Sequence, residues 1–356
     1  MEKTINECFF QIQNGANIKQ GDVEGGFPIT RIETTANDKF NRDRMGYAGI
    51  TDISKYEAYV LEDGDLLMSH INSVQYLGRT VLYVKQPDEI IIHGMNLLRL
   101  KARRNIINPA YARYCFYGHT FRCQIGNITK KSVNQASFAV KDLKQIKIEV
   151  PSLDVQNKVV VILDRVQKII DMRNNELASL DDLIKARFVE MFGSIHESTK
   201  YPYIAVKDLT DITSGGTPSR DKTEYWDNGT IPWVKTTELQ NNVLIDVDEH
   251  ITEAGLAGSS AKLVPVGTIL VAMYGQGKTR GMTAYLGVEA STNQACACIL
   301  PSDKVDSMFM WKYFELSYDK LRSLAQGAGQ PNLNGNMIKN FQVLVPPIEL
   351  QKEYVD

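Results

Sequence analysis

Short apolar runs broken by glycine and proline dominate the first 150 residues. Leu66-Leu-Met-Ser, leading into GRTVLYV, and IIIHGMNLLRL over 90–100 read as short strands. Asn108-Pro109 supplies an N-cap followed by proline at the first helical position, opening a helix through AYARYCFYGHTF. QIKIEV then reads as a strand stopped by Pro151. From about Tyr201 the same order returns: LVPVGTILVAMYG is strand-like, MFMWKYFELSYDKLRSL is a helix, and FQVLVP is a strand stopped by Pro346-Pro347. Between the two stretches, residues 153–192 contain neither glycine nor proline. There Val159, Leu163, Val166, Ile170, Leu177, Leu180 and Ile184 follow the three- and four-residue steps of a heptad seam. Arg173 and Arg187 interrupt the seam, and Asp181, Asp182 and Lys185 make the outer face polar. A helix of about 40 residues spans roughly 60 Å, longer than a small domain, so its seam predicts a partner helix.

The recurrence is a duplication. QASFAVKDLKQIKIEVPSLDVQ over 135–156 aligns with QPNLNGNMIKNFQVLVPPIELQ over 330–351, matching Gln135 to Gln330, Lys144 to Lys339, Val150 to Val345, Pro151 to Pro346 and Gln156 to Gln351. Upstream, Gly64-Asp-Leu-Leu-Met pairs with Gly267-Thr-Ile-Leu-Val, Gly78-Arg-Thr with Gly281-Met-Thr, and Arg113-Tyr114 with Lys312-Tyr313. A period of about 200 residues is too long for a solenoid and indicates a duplicated domain. Such a chain suits a partner with two-fold symmetry, and duplex DNA with a split site is one.

Length and composition agree with two domains. The 356 residues are 43% hydrophobic and 23% charged, ordinary for a globular protein, and no apolar run approaches the length needed to span a bilayer. The start, MEKTINECFF, is too polar for a secretory signal. Five scattered cysteines leave no disulfide framework and fit a reducing cytoplasm. Cys296-Ala-Cys298, in the apolar run QACACIL, reads as core packing rather than a zinc site. The net charge of −2 conceals an asymmetry: residues 99–147 carry eleven Lys or Arg and one acid, Asp142. That block is the electrostatic footprint expected of phosphate contact, and equally that of a solvated helix face on a positively charged surface. The second half has no equivalent, with five basic and four acidic side chains over 303–340.

Catalytic motifs fail one after another. Gly277-Lys278-Thr279 resembles the end of a phosphate-binding loop, but the required earlier glycine is Ala272 and a strand-like segment follows where a helix is needed. Asn108-Pro109-Ala110-Tyr111 is one residue from the Asn-Pro-Pro-Tyr of amino-methyltransferases, yet no glycine-rich cofactor fingerprint accompanies it. Pro87-Asp88 lacks a following Glu-x-Lys, and histidines 70, 93, 119, 196 and 250 do not fall at ligand spacing. What remains are polar, glycine-containing loops whose Arg, Lys, Gln, Asn, Ser and Thr are the donors that read base edges and hold phosphates. They are 214–239, the turn MYGQGKTRG, Arg79 in its own turn, and the early loop from Gln13-Asn14-Gly15 through Asn17 to Gln20.

SGGTPSRDKTEYWDNGTIPWVKTTEL, GTILVAMYGQGKTRG and AQGAGQPNLNGNMIKNFQVLVPPIELQ closely resemble a target-recognition domain of type I restriction–modification specificity subunits. The specific strings are Gly216-Thr217-Pro218, Tyr225-Trp226, Ile231-Pro232-Trp233 and Gln330-Pro331-Asn332-Leu333, with Pro346-Pro347 opening a helix through Glu349 and Gln351. The first half matches more loosely, through QNGANIKQG, EDGDLLMS and the long helix. The resemblance implies an α+β protein: two similar α/β target-recognition domains, 1–150 and 198–345, joined by a long coiled-coil helix within 151–197. Residues 346–356 would begin a distal helix cut short, leaving the central helix to pair with a second copy. It implies a non-catalytic, cytoplasmic specificity subunit that reads a split asymmetric site in double-stranded DNA. The partners implied are modification (methyltransferase) subunits and a motor–nuclease restriction subunit, with no membrane. S-adenosylmethionine, ATP and Mg are expected on those subunits and no cofactor in this chain. The alternatives are the recognition pair of a related methyltransferase, or a dimerising specificity protein of the half-size kind. Expected DNA contacts are Arg79, Arg99, Lys101, Arg103, Arg104, Lys130, Lys131, Thr217, Ser219, Arg220, Lys235, Gln276, Lys278 and Arg280. Expected partner contacts are Leu163, Val166, Ile170, Leu177, Leu180 and Ile184.

Overall fold

Residues 1–174 and 175–356 form two units, each with its own core. The computed structural model describes residues 1–19, 21, 25–132, 135–275, 277–326 and 331–356; Gln20, Gln276 and Gln330 lie outside them. In the first unit the elements in order are β1 (Glu2–Thr4), β2 (Phe9–Asn14), β3 (Leu66–Ser69), β4 (Thr80–Leu82), β5 (Leu97–Ala102), α1 (Pro109–Tyr117), α2 (His119–Ile128) and β6 (Lys147–Glu149). The helix α3 (Leu153–Phe192) continues into the second unit. There follow β7 (Tyr203–Ala205), β8 (Ile212–Ser214), β9 (Ile231–Val234), β10 (Asn242–Leu244), β11 (Ile269–Ala272), β12 (Thr283–Leu286) and β13 (Cys296–Ile299). The chain then forms α4 (Ser307–Leu316), α5 (Tyr318–Ser323), β14 (Gln342–Leu344) and α6 (Ile348–Val355).

The duplication is carried by one sheet plan. The first sheet has the order β2-β5-β3-β4 and the second β8-β13-β11-β12-β10, the last strand joining in parallel. The central strands β3, β5, β11 and β13 are buried on both faces, which is why they read as continuous apolar runs rather than alternating ones. Leu66, Met68, Leu98 and Leu100 face Tyr111, Ala112 and Phe116, while Leu67, Val81 and Leu97 face the other way with Leu61 and Tyr83. In the second unit Val271, Ala297 and Ile299 face the helices, and Leu270, Ala272, Cys296 and Cys298 the opposite side. The two thiols are buried there, and burial raises the Cys298 pKa to about 11. Gly64 and Gly267 share φ of +86°, and Gly78 and Gly281 take +73° and +84°; these left-handed turns flank β3 and β11 and require glycine.

The matched glutamines explain why Gln156 and Gln351 recur. Gln156 Oε1 accepts from Asn108 N at 2.8 Å while its Nε2 donates to Pro151 O and Ile106 O. Gln351 Oε1 accepts from Asp306 N at 2.8 Å and its Nε2 donates to Pro346 O. Each buried amide thus joins the proline stop to the N-cap of the unit's main helix, satisfying groups that would otherwise be stranded. Asn108 caps α1 through Ala110 N and Tyr111 N, as its sequence predicts.

Three elements are shorter than their sequence runs. IIIHGMNLLRL is one strand only from Leu97; Ile92 bridges Ile29 and Val60, and a turn at 95–96 intervenes. Both predicted main helices break at matching places, at Gly118 with ψ of 148° and at Ser317, whose N–H is taken by Tyr313 and Phe314. α3 is continuous. Gln156 and Val160 near its start are buried, and near its end Phe188 and Phe192 pack on Phe309 and Tyr354. Arg187 pairs with Glu190 and with Glu353 of α6. Between these ends Leu163 is half-buried, whereas Val166, Ile170, Leu177, Leu180 and Ile184 are 41–61% exposed. No described helix is long and apolar enough to cross a membrane.

Candidate nucleic-acid interface

Antiparallel register brings three separate segments to one end of each sheet. In the first unit β2 runs from Phe9 opposite Ala102 to Asn14 opposite Leu98, and Ser69 lies opposite Leu97. The loop after Asn14, the tip loop 70–79 and the stretches 129–132 and 135–138 emerge together. Ala16 N donates to His93 O at 2.7 Å, and a Cβ on Gly15 would sit 2.2 Å from that oxygen. Ile71–Asn72 pairs with Ala136–Ser137, which pairs with Lys130–Lys131, and Phe138 N donates to His70 O at 3.3 Å. The second unit repeats this. Gly216 N donates to Thr292 O at 2.9 Å, a Cβ on Gly215 would lie 2.0 Å from Thr292 O, and Leu333 N donates to Met273 O at 3.0 Å.

The expected phosphate contacts of the first unit do not form one patch. Lys130 and Lys131 are exposed on an edge strand at the loop end. Arg79 is at this end too, ion-paired to Asp38 at 2.8 Å and 4.6 Å over the Tyr76 ring. Arg103 and Arg104 follow Ala102 at the opposite end of β5, roughly 17 Å away at about 3.3 Å per residue. There Arg104 donates to Asp63 O, and Lys101 is ion-paired with Glu62. Arg99 overturns its expectation outright: it is 1% exposed. As the cross-strand partner of Leu67, it sits on a buried face and donates to Val60 O at 2.8 Å and Ala58 O at 2.6 Å. Asp65 lies 3.8 Å away. The basic block is split because strand alternation and the reversal of the chain at 103–107 send its members to different places.

In the second unit several expected readers hold the loops themselves. Trp226 Nε1 donates to Ser219 O at 3.0 Å, and Trp233 Nε1 to Gly216 O at 2.9 Å. The Arg220 guanidinium lies 3.6 Å from the Trp226 ring centroid and 4.9 Å from that of Trp233, and pairs with Glu249 at 2.5 Å. Lys235 reaches the same carboxylate at 2.9 Å and Asp248 at 3.6 Å. Bonds from Lys235 and then Arg220 hold the Glu249 carboxyl below its usual pKa, so both cations are compensated locally. Thr217 is exposed with its hydroxyl bonded to Gln294. Lys278 is exposed beside Gly277, whose φ is +61°. Arg280 is half-buried and donates to Pro331 O, tying the tip loop to the neighbouring segment. Gln276 lies outside the described residues.

Sequence reading missed further exposed side chains of these tips: Ile71, Val74, Gln75 and Tyr76 in one unit, Tyr274 in the other. The signal was present. The glycines flanking the tips match one for one, so residues between them can be paired by offset, and the pairs differ: Ile71 with Tyr274, Gln75 with Lys278.

One frame built twice, carrying unlike loops at matching ends, defines a two-site recognition protein. The chain belongs to the family of the type I restriction modification DNA specificity domain, whose family model matches residues 2–182 and again 198–356. It is 27% identical over 381 residues to a Methanocaldococcus jannaschii protein assigned as the MjaX type I restriction enzyme specificity subunit, spanning 98% of this chain and 84% of that one. The EcoR124I/EcoR124II specificity subunit of Escherichia coli is 24% identical over 226 residues, covering 61% of this chain and 56% of its own. In fold, the type I restriction–modification S subunit from M. genitalium superposes with a TM-score of 0.58 at 14% identity, over 99% of this chain and 87% of that one.

Neutralising Lys130 and Lys131 together to Gln should weaken DNA binding about equally on every sequence. The slope of log K against log salt should flatten by roughly 0.9 for each phosphate that is no longer neutralised. Titrations at several salt concentrations decide this, and an unchanged slope removes the pair from the interface.

Proposed function

We propose that this chain is the DNA specificity subunit of a type I restriction–modification complex, each unit reading one half of a split asymmetric site in duplex DNA. The observation that carries the reading is the pairing of a shared geometry with unlike exposed side chains. The same sheet end presents Gln75, Tyr76, Lys130 and Lys131 in one unit, and Thr217, Tyr274 and Lys278 in the other. Polar and aromatic side chains on rigidly based loops suit base-edge and phosphate contact. The chain acts by recognition. Chemistry falls to partner chains: modification subunits holding S-adenosylmethionine, and a motor–nuclease subunit using ATP and Mg. The exposed seam of α3, from Val166 to Ile184, supports docking of modification subunits, with a second copy of the chain as the competing occupant. The setting is the cytoplasm, where the DNA is.

Selection of bound duplexes from a pool of random sequence tests this. The full chain, with its modification subunits, should enrich two short blocks separated by an unselected spacer. Enrichment of one block only, or of none, contradicts the two-part reading.

A further inference from the structure

Each tip loop is held by an arginine that no matched motif singled out. In the first unit Arg122, on α2, donates through Nη1 to Leu77 O at 2.7 Å and through Nη2 to Gln75 O at 3.1 Å. In the second unit Arg322, on α5, donates through Nη1 to Arg280 O at 2.8 Å and reaches Lys278 O at 3.4 Å. These are the same two carbonyls. Leu77 and Arg280 each precede the left-handed glycine, Gly78 or Gly281, and Gln75 and Lys278 stand two residues earlier. The glycines also make room for the side chain that grips the loop. A Cβ on Gly78 would lie 3.5 Å from Arg122 Nη1 and 3.2 Å from Ile125, and one on Gly281 would lie 3.1 Å from Arg322 Cγ.

The side chains of the gripped residues are unrelated: Gln75 and Leu77 in one loop, Lys278 and Arg280 in the other. A backbone contact preserved across two loops whose side chains have diverged is independent of what the loop displays. A planar guanidinium is suited to hold two carbonyls at once, which an ammonium on a flexible stem does not reproduce. In the second unit Tyr318 adds a hydroxyl that donates to Lys278 O at 2.7 Å and lies 3.0 Å from Arg322 Nη1.

We propose that Arg122 and Arg322 are positioning residues for sequence reading: each fixes its own unit's tip loop through two backbone carbonyls and so sets discrimination at one half-site only. The proposal rests on the two-part DNA reading above. Sites on loops discriminate only if their supports are rigid, because a displacement of about 1 Å is enough to lose productive geometry.

Random-duplex selection with the full chain and its modification subunits tests it in three arms: unaltered, Arg122→Lys and Arg322→Lys. The lysine variants keep the charge, so non-specific affinity and its salt dependence should stay as they are. Arg122→Lys should cost roughly tenfold or more in discrimination within one block and leave the other sharp. Arg322→Lys should do the converse. Amide exchange at Gly78 should quicken in the first variant alone, and at Gly281 in the second alone. Should Arg322→Lys fail to fold, Tyr318→Phe removes a single hydroxyl and should blur the same block more weakly. Two sharp blocks in every variant, or both blocks degraded by either one, overturn the positioning role while leaving the two-part reading intact. Absence of two blocks in the unaltered arm removes the reading itself and this proposal with it.

Discussion

Arg99→Ala should destabilise the first unit by about 3–5 kcal/mol, the cost of breaking a buried charged network, and leave the salt slope of DNA binding unchanged in molecules that remain folded. The side chain is 1% exposed and supplies both Val60 O and Ala58 O with their donors. Alanine would strand those carbonyls, leave Asp65 without its nearest cation, and open a cavity on the face shared with Leu67 and Val81. Burial works against the charge and lowers the Arg99 pKa, while Asp65 and then Glu62 act to keep it. Burial, with Arg99 as a further cause, pushes the His93 pKa down to about 3, so no second cation competes for the site. The readouts separate the units, because Trp226, Trp233 and Trp311 all lie in the second. Urea unfolding followed by circular dichroism should gain an early phase while the tryptophan midpoint stays in place. A stable variant with a flattened salt slope would instead return Arg99 to the phosphates.

What could be read in the sequence was whatever depends on local chemistry or on the repeat. Asn108-Pro109 announced a helix start because capping is decided within four residues. Gly64, Gly78, Gly267 and Gly281 were legible because a left-handed turn tolerates little else, and duplication showed each twice. Gln156 and Gln351 were visible as a match, but their task was not: it needs an N-cap some fifty residues earlier in the chain. Arg99 failed for the same reason. Its face is set by pairing with Leu67, and a basic neighbour of Lys101 and Arg103 looks like surface until that register is known. Arg122 and Arg322 act on backbone oxygens, which leave no residue-type signature. The apolar positions of α3 were found by period alone, and several of them are exposed.

Replacing residues 200–345 by the corresponding domain of another family member should rewrite one half of the methylated sequence and leave the other half untouched. The joints favour it. Tyr203 pairs with Leu344 and Val345 N donates to Pro202 O at 2.9 Å, so the exchanged segment begins and ends side by side. The first unit closes the same way, with Glu2 opposite Glu149 and Val150 N donating to Met1 O at 2.8 Å. All loops assigned to the second half-site, from Thr217 to Asn332, travel inside the segment, whereas Lys130, Lys131 and Arg79 stay behind. The hazard is packing rather than chemistry. Phe188 and Phe192 of α3 and Tyr354 of α6 lie outside the segment and are packed on Phe309 and Tyr313 within it. A donor with smaller side chains there would leave a cavity costing several kcal/mol, of order 3–5 for a lost Phe. Extending the exchange to 175–356 carries that aromatic cluster along and separates misfolding from misreading. Methylation sequencing of host DNA, in cells supplying the modification subunits, gives the result directly. A new sequence in one block with the other retained supports modular reading; a change in both blocks, or in neither by a folded chimera, defeats it.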